Sequence, residues 1–135
     1  MIGNVNWEAY IGIPFAHRDD DSRNGTNCWG LVRLIYREVR GILLPSFEGQ
    51  YSGIADYETI DRLIGAEIRK NWLEIPIPRS LSAIVIRYGR ANSHIGIVID
   101  NRRFLHTSED GSSRWEDFTS FRWRKRVVGF YQYNV

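Results

Sequence analysis

The residues of this sequence that could do chemistry together are one cysteine and two histidines. Cys28 is the only cysteine among the 135 residues, and Thr26 and Asn27 before it are good helix N-cap residues. Apolar residues follow at helical spacing: Leu31, Val32, Ile35 and Val39. A thiol in the first turn of a helix lies near free backbone N–H groups and the positive end of the helix dipole, which favour the thiolate. The pattern predicts a cysteine nucleophile, although a lone cysteine is also commonly a small buried hydrophobic residue.

The two histidines lie on neighbouring predicted strands. His94 begins one strand and His106 ends the next. A two-residue turn between the strands would pair Ile95 with His106 and place the imidazoles on opposite faces, whereas a three-residue loop would pair Gly96 with His106 and place them on one face. We favour the second register, because three-residue loops with one left-handed residue are common and Asn101 tolerates that conformation.

On a shared face the three side chains predict acyl-transfer chemistry. His94 could accept the proton of Cys28 or hold the thiolate as an ion pair, and His106 could fix the tautomer of His94. Each histidine alone would be an ordinary residue at a strand end. The combination with a cysteine at a helix start favours catalysis.

The composition excludes several other classes of protein. A hydrophobic content of 43% and an aromatic content of 13% predict a folded domain with a real core. No apolar run approaches about 18 residues and the N-terminal residues lack a basic segment before an apolar one, so we expect no signal peptide and no membrane span. The net charge of +2 is too small to indicate a nucleic-acid partner by itself.

No metal site is predicted. The three aspartates at positions 19–21 lack the alternating oxygen ligands of a calcium loop, and we expect a solvated loop there. His17 has no second ligand nearby and is interpreted as a surface residue.

The periodicity predicts an α+β fold in one domain over residues 1–135. A helical turn is expected in residues 1–14, and helices are predicted over 28–40, ending at Gly41, and over 57–70. Pro76 and Pro78 exclude a central strand over 72–78, which is interpreted as a connector. Strands are predicted over 83–88, 95–99, 103–106 and 127–133. Helices followed by a run of strands are typical of an antiparallel sheet with helices on one face.

Four segments together resemble the NlpC-type cysteine endopeptidases of bacterial cell walls, which have a papain-like fold. These segments are 27–33 (NCWGLVR), 41–45 (GILLP), 93–99 (SHIGIVI) and 103–106 (RFLH). The Cys-Trp-Gly-Leu-Val form and the late Gly-Phe-Tyr look like phage tail assembly members of the family. The resemblance implies that Cys28 is the nucleophile, His94 the base and His106 the orienting residue. It further implies hydrolysis of a peptidoglycan stem peptide between D-glutamate and a diamino acid, without a metal or cofactor.

The same resemblance assigns substrate binding to Trp29, Gly30 and Phe15. Gly30 costs about 1 kcal/mol relative to alanine inside a helix, which predicts that something packs or binds close to the first turn. Phe15 stands where many members have a tyrosine, and Asn27 stands where they commonly have an aspartate. The usual Gly-Asp before the histidine strand corresponds to positions 81–82 or 82–83.

Two alternative functions come from other classes. One is a non-hydrolysing component of a phage tail tip that binds the wall or other tail proteins. The other is nucleic-acid binding through the segment 121–126 (FRWRKR), in which we instead expect arginines stacked on aromatic rings. We predict no nucleic-acid or membrane partner. Synthesis in the cytoplasm is expected, with action on the wall from a virion tail or on recycled muropeptides in the cytoplasm.

Overall fold

The computed structural model describes residues 4–52, 56–109 and 111–134. It contains a 3-10 turn at Trp7–Tyr10 and two α-helices, α1 (Cys28–Ile35) and α2 (Tyr57–Asn71). A single π-helical turn, Tyr36–Arg40, continues α1 and ends at Gly41, whose φ of +66° closes the helix in the left-handed conformation. Both helices and the N-terminal helical turn are as predicted.

The strands form one sheet of six. They are β1 (Trp72–Ile75), β2 (Ala83–Tyr88), β3 (Ala91–Val98), β4 (Arg103–His106), β5 (Arg114–Asp117) and β6 (Val127–Tyr133). Their order in the sheet is β1-β6-β2-β3-β4-β5, and every neighbouring pair is antiparallel. Helices on an antiparallel sheet confirm the predicted α+β class.

The two edge strands were not predicted. The connector assigned to 72–78 is wrong for Trp72–Ile75, which pairs with β6 and ends before Pro76. Prolines that follow an edge strand remove no hydrogen bond from the ladder, so they do not prevent this pairing. At the opposite edge, β5 is short and largely charged, which is common for edge strands but hides their periodicity.

The hairpin of β3 and β4 has the register that places both histidines on one face. Ile97 lies opposite Leu105 and Val98 opposite Phe104, so three residues, 100–102, form the loop. The left-handed conformation expected for Asn101 is wrong, because Leu81 is the only described non-glycine residue with positive φ. The turn is instead held by the carboxylate of Asp100, which accepts hydrogen bonds from two loop N–H groups at 3.0 and 2.8 Å.

Leu81 has a backbone conformation that is typical of glycine. Its φ is +72°, a conformation that glycine adopts without strain. Its N–H donates to the carbonyl of Val98 at 2.9 Å, and its carbonyl accepts the hydroxyl of Tyr36. The Gly-Asp pair of the resembled family could correspond to positions 81–82 or 82–83. The positive φ of Leu81 fits the first alignment, with Leu81 at the glycine position and Ser82 at the aspartate position.

The core lies on both faces of the sheet. The larger cluster packs the helices against one face and includes Cys28, Leu31, Ile64, Ile95 and Leu105. A smaller cluster combines other residues of the sheet with Phe118 and Trp123, which belong to the segment between β5 and β6. None of the helices in the described ranges has the length and apolar character needed to cross a membrane.

Candidate active site

Cys28 is the first residue of α1, as predicted from the capping pattern. The side-chain oxygen of Asn27 caps the helix by accepting the N–H of Gly30 at 2.9 Å. The thiol is buried and lies at the backbone N–H of Ile95, the residue that follows His94. The start of α1 therefore meets the backbone of β3 at the residue after the predicted base.

Burial dominates the acidity of this thiol. It raises the pKa of Cys28 to about 11, although hydrogen bonds from the backbone N–H groups of Ile95, Trp29 and Cys28 itself lower the pKa. The buried carboxylate of Asp19 raises it further. The first-turn amides thus favour the thiolate, as predicted, but burial outweighs them and leaves the pKa of Cys28 above its usual value.

The two histidines contact each other directly. His94 Nε2 and His106 Nδ1 lie 2.7 Å apart, and both side chains are buried. Burial lowers the pKa of His94 well below its usual value and lowers that of His106 to about 4. The cations of Arg114 and Arg126 also disfavour protonated His94. Both imidazoles are neutral at pH 7.

A carboxylate that the sequence analysis missed completes the chain of contacts. Glu116 Oε2 lies 2.6 Å from His106 Nε2. Partial burial raises the pKa of Glu116, but hydrogen bonds from Trp123 and His106 outweigh it and leave the pKa below its usual value. The ionised carboxylate can only accept hydrogen bonds, so His106 Nε2 carries the proton.

This contact determines the tautomer of both histidines. Neutral His106 with its proton on Nε2 has an unprotonated Nδ1, which accepts the Nε2–H of His94. Neutral His94 then has its lone pair on Nδ1. Within the described ranges no hydrogen bond joins that imidazole to the Cys28 thiol, so the structure does not bring the predicted base and nucleophile into hydrogen-bonding contact. The arrangement presents a buried thiol and an imidazole with one unprotonated nitrogen.

Glu116 was missed because β5 was not predicted. The strand has four residues, and Glu116 lies opposite Phe104 in the register with β4. The available signal was the polar segment after His106, which is long enough to return as a hairpin strand beside it. Trp123 Nε1 also holds the carboxylate, donating to Oε1 at 2.9 Å.

Of the three residues assigned to substrate binding, Trp29 and Gly30 are buried and Phe15 is half-buried. Trp29 is 3% exposed, stacks on Phe47 with ring centroids 4.9 Å apart, and donates its Nε1–H to the carbonyl of Pro45. Phe15 is half-buried and bridges to Thr26, just before the cysteine. Contact of these residues with substrate stays a prediction.

Gly30, the third of these residues, has the close neighbour that its position predicted. An added Cβ would lie 2.8 Å from the backbone of Asp19 and of Asp20 and 1.7 Å from Thr26 Oγ1. The neighbour is therefore the protein's own loop.

That loop corrects the interpretation of the aspartates at 19–21 as solvated. Asp19 is fully buried and accepts hydrogen bonds from Ser46 Oγ and Phe47 N, each at 2.6 Å. Arg33 Nη1 lies 3.8 Å from its carboxylate and donates to its backbone carbonyl at 2.6 Å. Asp19 thus ties the loop before α1 to the segment after it. No group of three or more possible metal-ligating side chains is found in the described parts of the chain.

The basic segment near the C-terminus has its arginines stacked on aromatic rings, as predicted. The guanidinium carbon of Arg126 lies 4.6 Å from the Trp123 ring centroid, and that of Arg122 lies 5.2 Å from the same centroid. Arg124 lies 5.4 Å from the ring centroid of Phe121. The Trp123 ring is buried, whereas Phe121 is 82% exposed.

Comparison with known proteins finds one curated relative. The Gamma-DL-glutamyl hydrolase of Bacillus subtilis (strain 168) is 23% identical over 128 residues, which are 94% of this chain and 28% of that protein. This chain thus spans less than a third of that curated relative.

Two solved structures show the same fold. The NlpC/p60 domain of the peptidoglycan hydrolase SagA matches with a TM-score of 0.61 at 15% identity, over 93% of this chain and 90% of that one. A lipoprotein-like NLP/P60 protein from Staphylococcus aureus subsp. aureus Mu50 matches with a TM-score of 0.64 at 17% identity, over 94% and 38% of the two chains. The model of the NlpC/P60 family matches residues 12–132, so this chain belongs to the NlpC/P60 family.

Proposed function

We propose that this protein is a cysteine endopeptidase that cleaves peptidoglycan stem peptides between D-glutamate and a diamino acid, within a single domain over residues 1–135. The observation that carries the proposal is the relay from Glu116 through His106 to His94, which leaves the Nδ1 of His94 unprotonated. Family membership supports a hydrolase that acts on peptidoglycan. The B. subtilis relative is named a Gamma-DL-glutamyl hydrolase, which supports the proposal that the bond cleaved here is one formed by glutamate.

In the proposed mechanism His94 acts first as base and then as acid. As Cys28 Sγ attacks the carbonyl carbon, His94 Nδ1 takes the thiol proton, so that no free thiolate needs to form in the buried site. The backbone N–H of Cys28 helps to hold the oxyanion. The imidazolium then gives its proton to the leaving amine, and a thioester remains on Cys28. Water, deprotonated by His94, hydrolyses the thioester and restores the thiol.

His106 and Glu116 act on His94 and have no direct contact with substrate in this mechanism. When His94 becomes positively charged, the hydrogen bond to His106 and the negative charge behind it stabilise the imidazolium. The three side chains lie on the neighbouring strands β3, β4 and β5, and hydrogen bonds join them in this order.

Mass spectrometry of purified muropeptides tests this function. Wild-type protein should release a stem-peptide fragment, whereas the variants Cys28→Ala and His94→Ala should release almost none and His106→Ala should keep a residual rate. His17→Ala is the matched control, because His17 is an exposed histidine with a side-chain exposure of 61%. Full cleavage by Cys28→Ala would refute the mechanism, and no cleavage by wild-type protein would refute the substrate.

A second candidate is a non-hydrolysing component of a phage tail tip. The burial of the Cys28 thiol, with its raised pKa, is the observation that favours it. The resemblance of residues 28–32 to tail assembly members supports a tail-associated location for either candidate. Absence of cleavage together with a Cys28 that iodoacetamide does not modify in the folded protein would favour this second function.

A further inference from the structure

Tyr51 lies beside the predicted nucleophile without having been assigned a role there. It belongs to the segment between α1 and α2, and its side chain is half-buried. Asn27 Nδ2 lies 2.6 Å from the Tyr51 hydroxyl oxygen. Asn27 directly precedes Cys28, so the phenol is placed next to the start of α1.

The direction of this hydrogen bond follows from the helix cap. Asn27 Oδ1 accepts the N–H of Gly30, so the atom that faces Tyr51 is the amide nitrogen. An amide nitrogen only donates, and the phenol oxygen is therefore the acceptor. The phenol hydrogen is not used in this contact. Among the residues that the structure describes, the Tyr51 hydroxyl has no acceptor for it.

The surroundings of Tyr51 keep this hydrogen in place. Burial raises the pKa of the phenol, and the nearby carboxylates of Asp19 and Glu48 and the thiol of Cys28 raise it further. The phenol therefore stays a donor throughout the neutral and moderately alkaline range. The same two carboxylates repel an anionic ligand, so the acceptor that fits this position is a neutral carbonyl oxygen.

We propose that Tyr51 is a substrate-binding residue that donates its phenol hydrogen to the carbonyl oxygen of the acyl group attacked by Cys28, with Asn27 holding the phenol in place. The inference rests on the proposed role of Cys28 as nucleophile. It also explains why asparagine suits position 27. An aspartate there would cap the helix equally well, but its second oxygen would accept the phenol hydrogen and remove it from the substrate.

Acylation by p-nitrophenyl acetate tests this role whatever the natural peptide is, because Cys28 must attack a carbonyl carbon of the probe. Alkylation by iodoacetamide, which occurs at a saturated carbon, measures thiol reactivity alone. The Tyr51→Phe variant loses one hydrogen bond to the carbonyl oxygen. Acylation of its Cys28 should be about tenfold slower than in wild type, while alkylation of Cys28 is unchanged. Tyr10→Phe is the matched control, because its hydroxyl bonds to Glu38 outside the site, and it should behave as wild type.

Asn27→Asp provides a second, independent variant. Its new charge can slow both reactions by raising the pKa of Cys28, so the ratio of acylation to alkylation is the measured quantity. The ratio should fall about tenfold in the wild-type background and should not change in the Tyr51→Phe background, because both substitutions remove the same donor.

Three results would overturn the inference: a wild-type ratio in Tyr51→Phe, a lower ratio in Tyr10→Phe, or no acylation of wild-type Cys28. If Tyr51→Phe does not fold, an unchanged ratio in Asn27→Asp overturns the inference and a lowered ratio supports it. Wild-type protein that is acylated but does not cleave muropeptides would refute the proposed substrate, while the ratios would still decide the role of Tyr51.

Discussion

His106 Nε2 and Glu116 Oε2 lie 2.6 Å apart, and this contact determines which nitrogen of each histidine carries a proton. The carboxylate accepts the Nε2–H of His106, and His106 Nδ1 in turn accepts the Nε2–H of His94. Glu116 thus selects the unprotonated nitrogen of His94 through His106, without contacting His94 itself. Glu116 is a positioning residue in this arrangement.

Glu116→Gln should weaken catalysis while leaving the nucleophile in place. The substitution replaces one carboxylate oxygen with an amide nitrogen, which cannot accept a hydrogen bond. The N–H of either His106 or Trp123 would then lose its acceptor. Carboxylates that orient metal-bound histidines contribute about 10- to 100-fold to activity, and by analogy we expect a fall in kcat/KM of at least this size for stem-peptide hydrolysis. The pH–rate profile should also change, because the balance between the two His94 tautomers is altered.

Glu109→Gln is the control for this change. Glu109 is an exposed glutamate whose carboxylate lies 3.9 Å from the His17 imidazole, outside the histidine pair, so its substitution should leave kcat/KM unchanged. An unaltered rate and pH profile in Glu116→Gln would show that His106 does not need the carboxylate.

The alkylation rate of Cys28 should increase steadily with pH. Because burial raises the pKa of the thiol to about 11, the thiolate fraction grows about tenfold per pH unit between pH 7 and pH 10. Iodoacetamide modification followed by mass spectrometry gives this profile. A plateau near neutral pH would instead show that Cys28 and His94 rest as a thiolate–imidazolium pair.

The helices and central strands were predictable because their burial is periodic. Residues 83–88 and 127–133 have strand alternation or continuous apolar runs, and α1 has both a cap and an apolar stripe. The edge strand β1 directly precedes Pro76, and the edge strand β5 is largely charged, so neither has the sequence pattern of a strand. Their pairing depends on the neighbouring strand, which local sequence does not reveal.

The site was predictable where its geometry follows from local rules. Cys28 could be placed at a helix start, and the register of His94 and His106 depends on the length of one loop. Glu116 and Tyr51 come from segments whose path depends on long-range packing. The raised pKa of Cys28 was also not predictable, because burial is a property of the complete fold.

Acid should destabilise the protein through His106. Its pKa is about 4 in the folded protein, below the usual 6.5, so between these values the unfolded chain binds a proton that the folded protein does not. The stabilisation is complete above pH 6.5 and is lost as the pH falls toward 4. Between pH 7.5 and pH 4.5 we expect His106 to contribute a loss on the order of 2–3 kcal/mol to the free energy of unfolding, measured in urea, and the lowered pKa of His94 adds to it in the same direction.

His106→Gln removes this titration and should reduce the acid-induced loss. Its stability at pH 7.5 will also be lower, because hydrogen bonds to His94 and Glu116 change, so the pH dependence and not the absolute value is compared. An equal loss in both proteins would assign the acid sensitivity to other groups.

Gly30→Ala and Gly65→Ala should change stability in opposite directions, although both glycines lie inside α-helices. At Gly30 the added Cβ meets Thr26 Oγ1 and the backbone of the Asp19 loop, which cannot move without disturbing the buried carboxylate. We expect a loss of about 2 kcal/mol or more in the free energy of unfolding, despite the better helix propensity of alanine. At Gly65 the Cβ meets only the end of the Arg69 side chain at 3.2 Å, which can turn aside. This substitution should raise the free energy of unfolding by about 0.5–1 kcal/mol, and equal effects of the two substitutions in urea unfolding would show that the loop does not pack against α1 in solution.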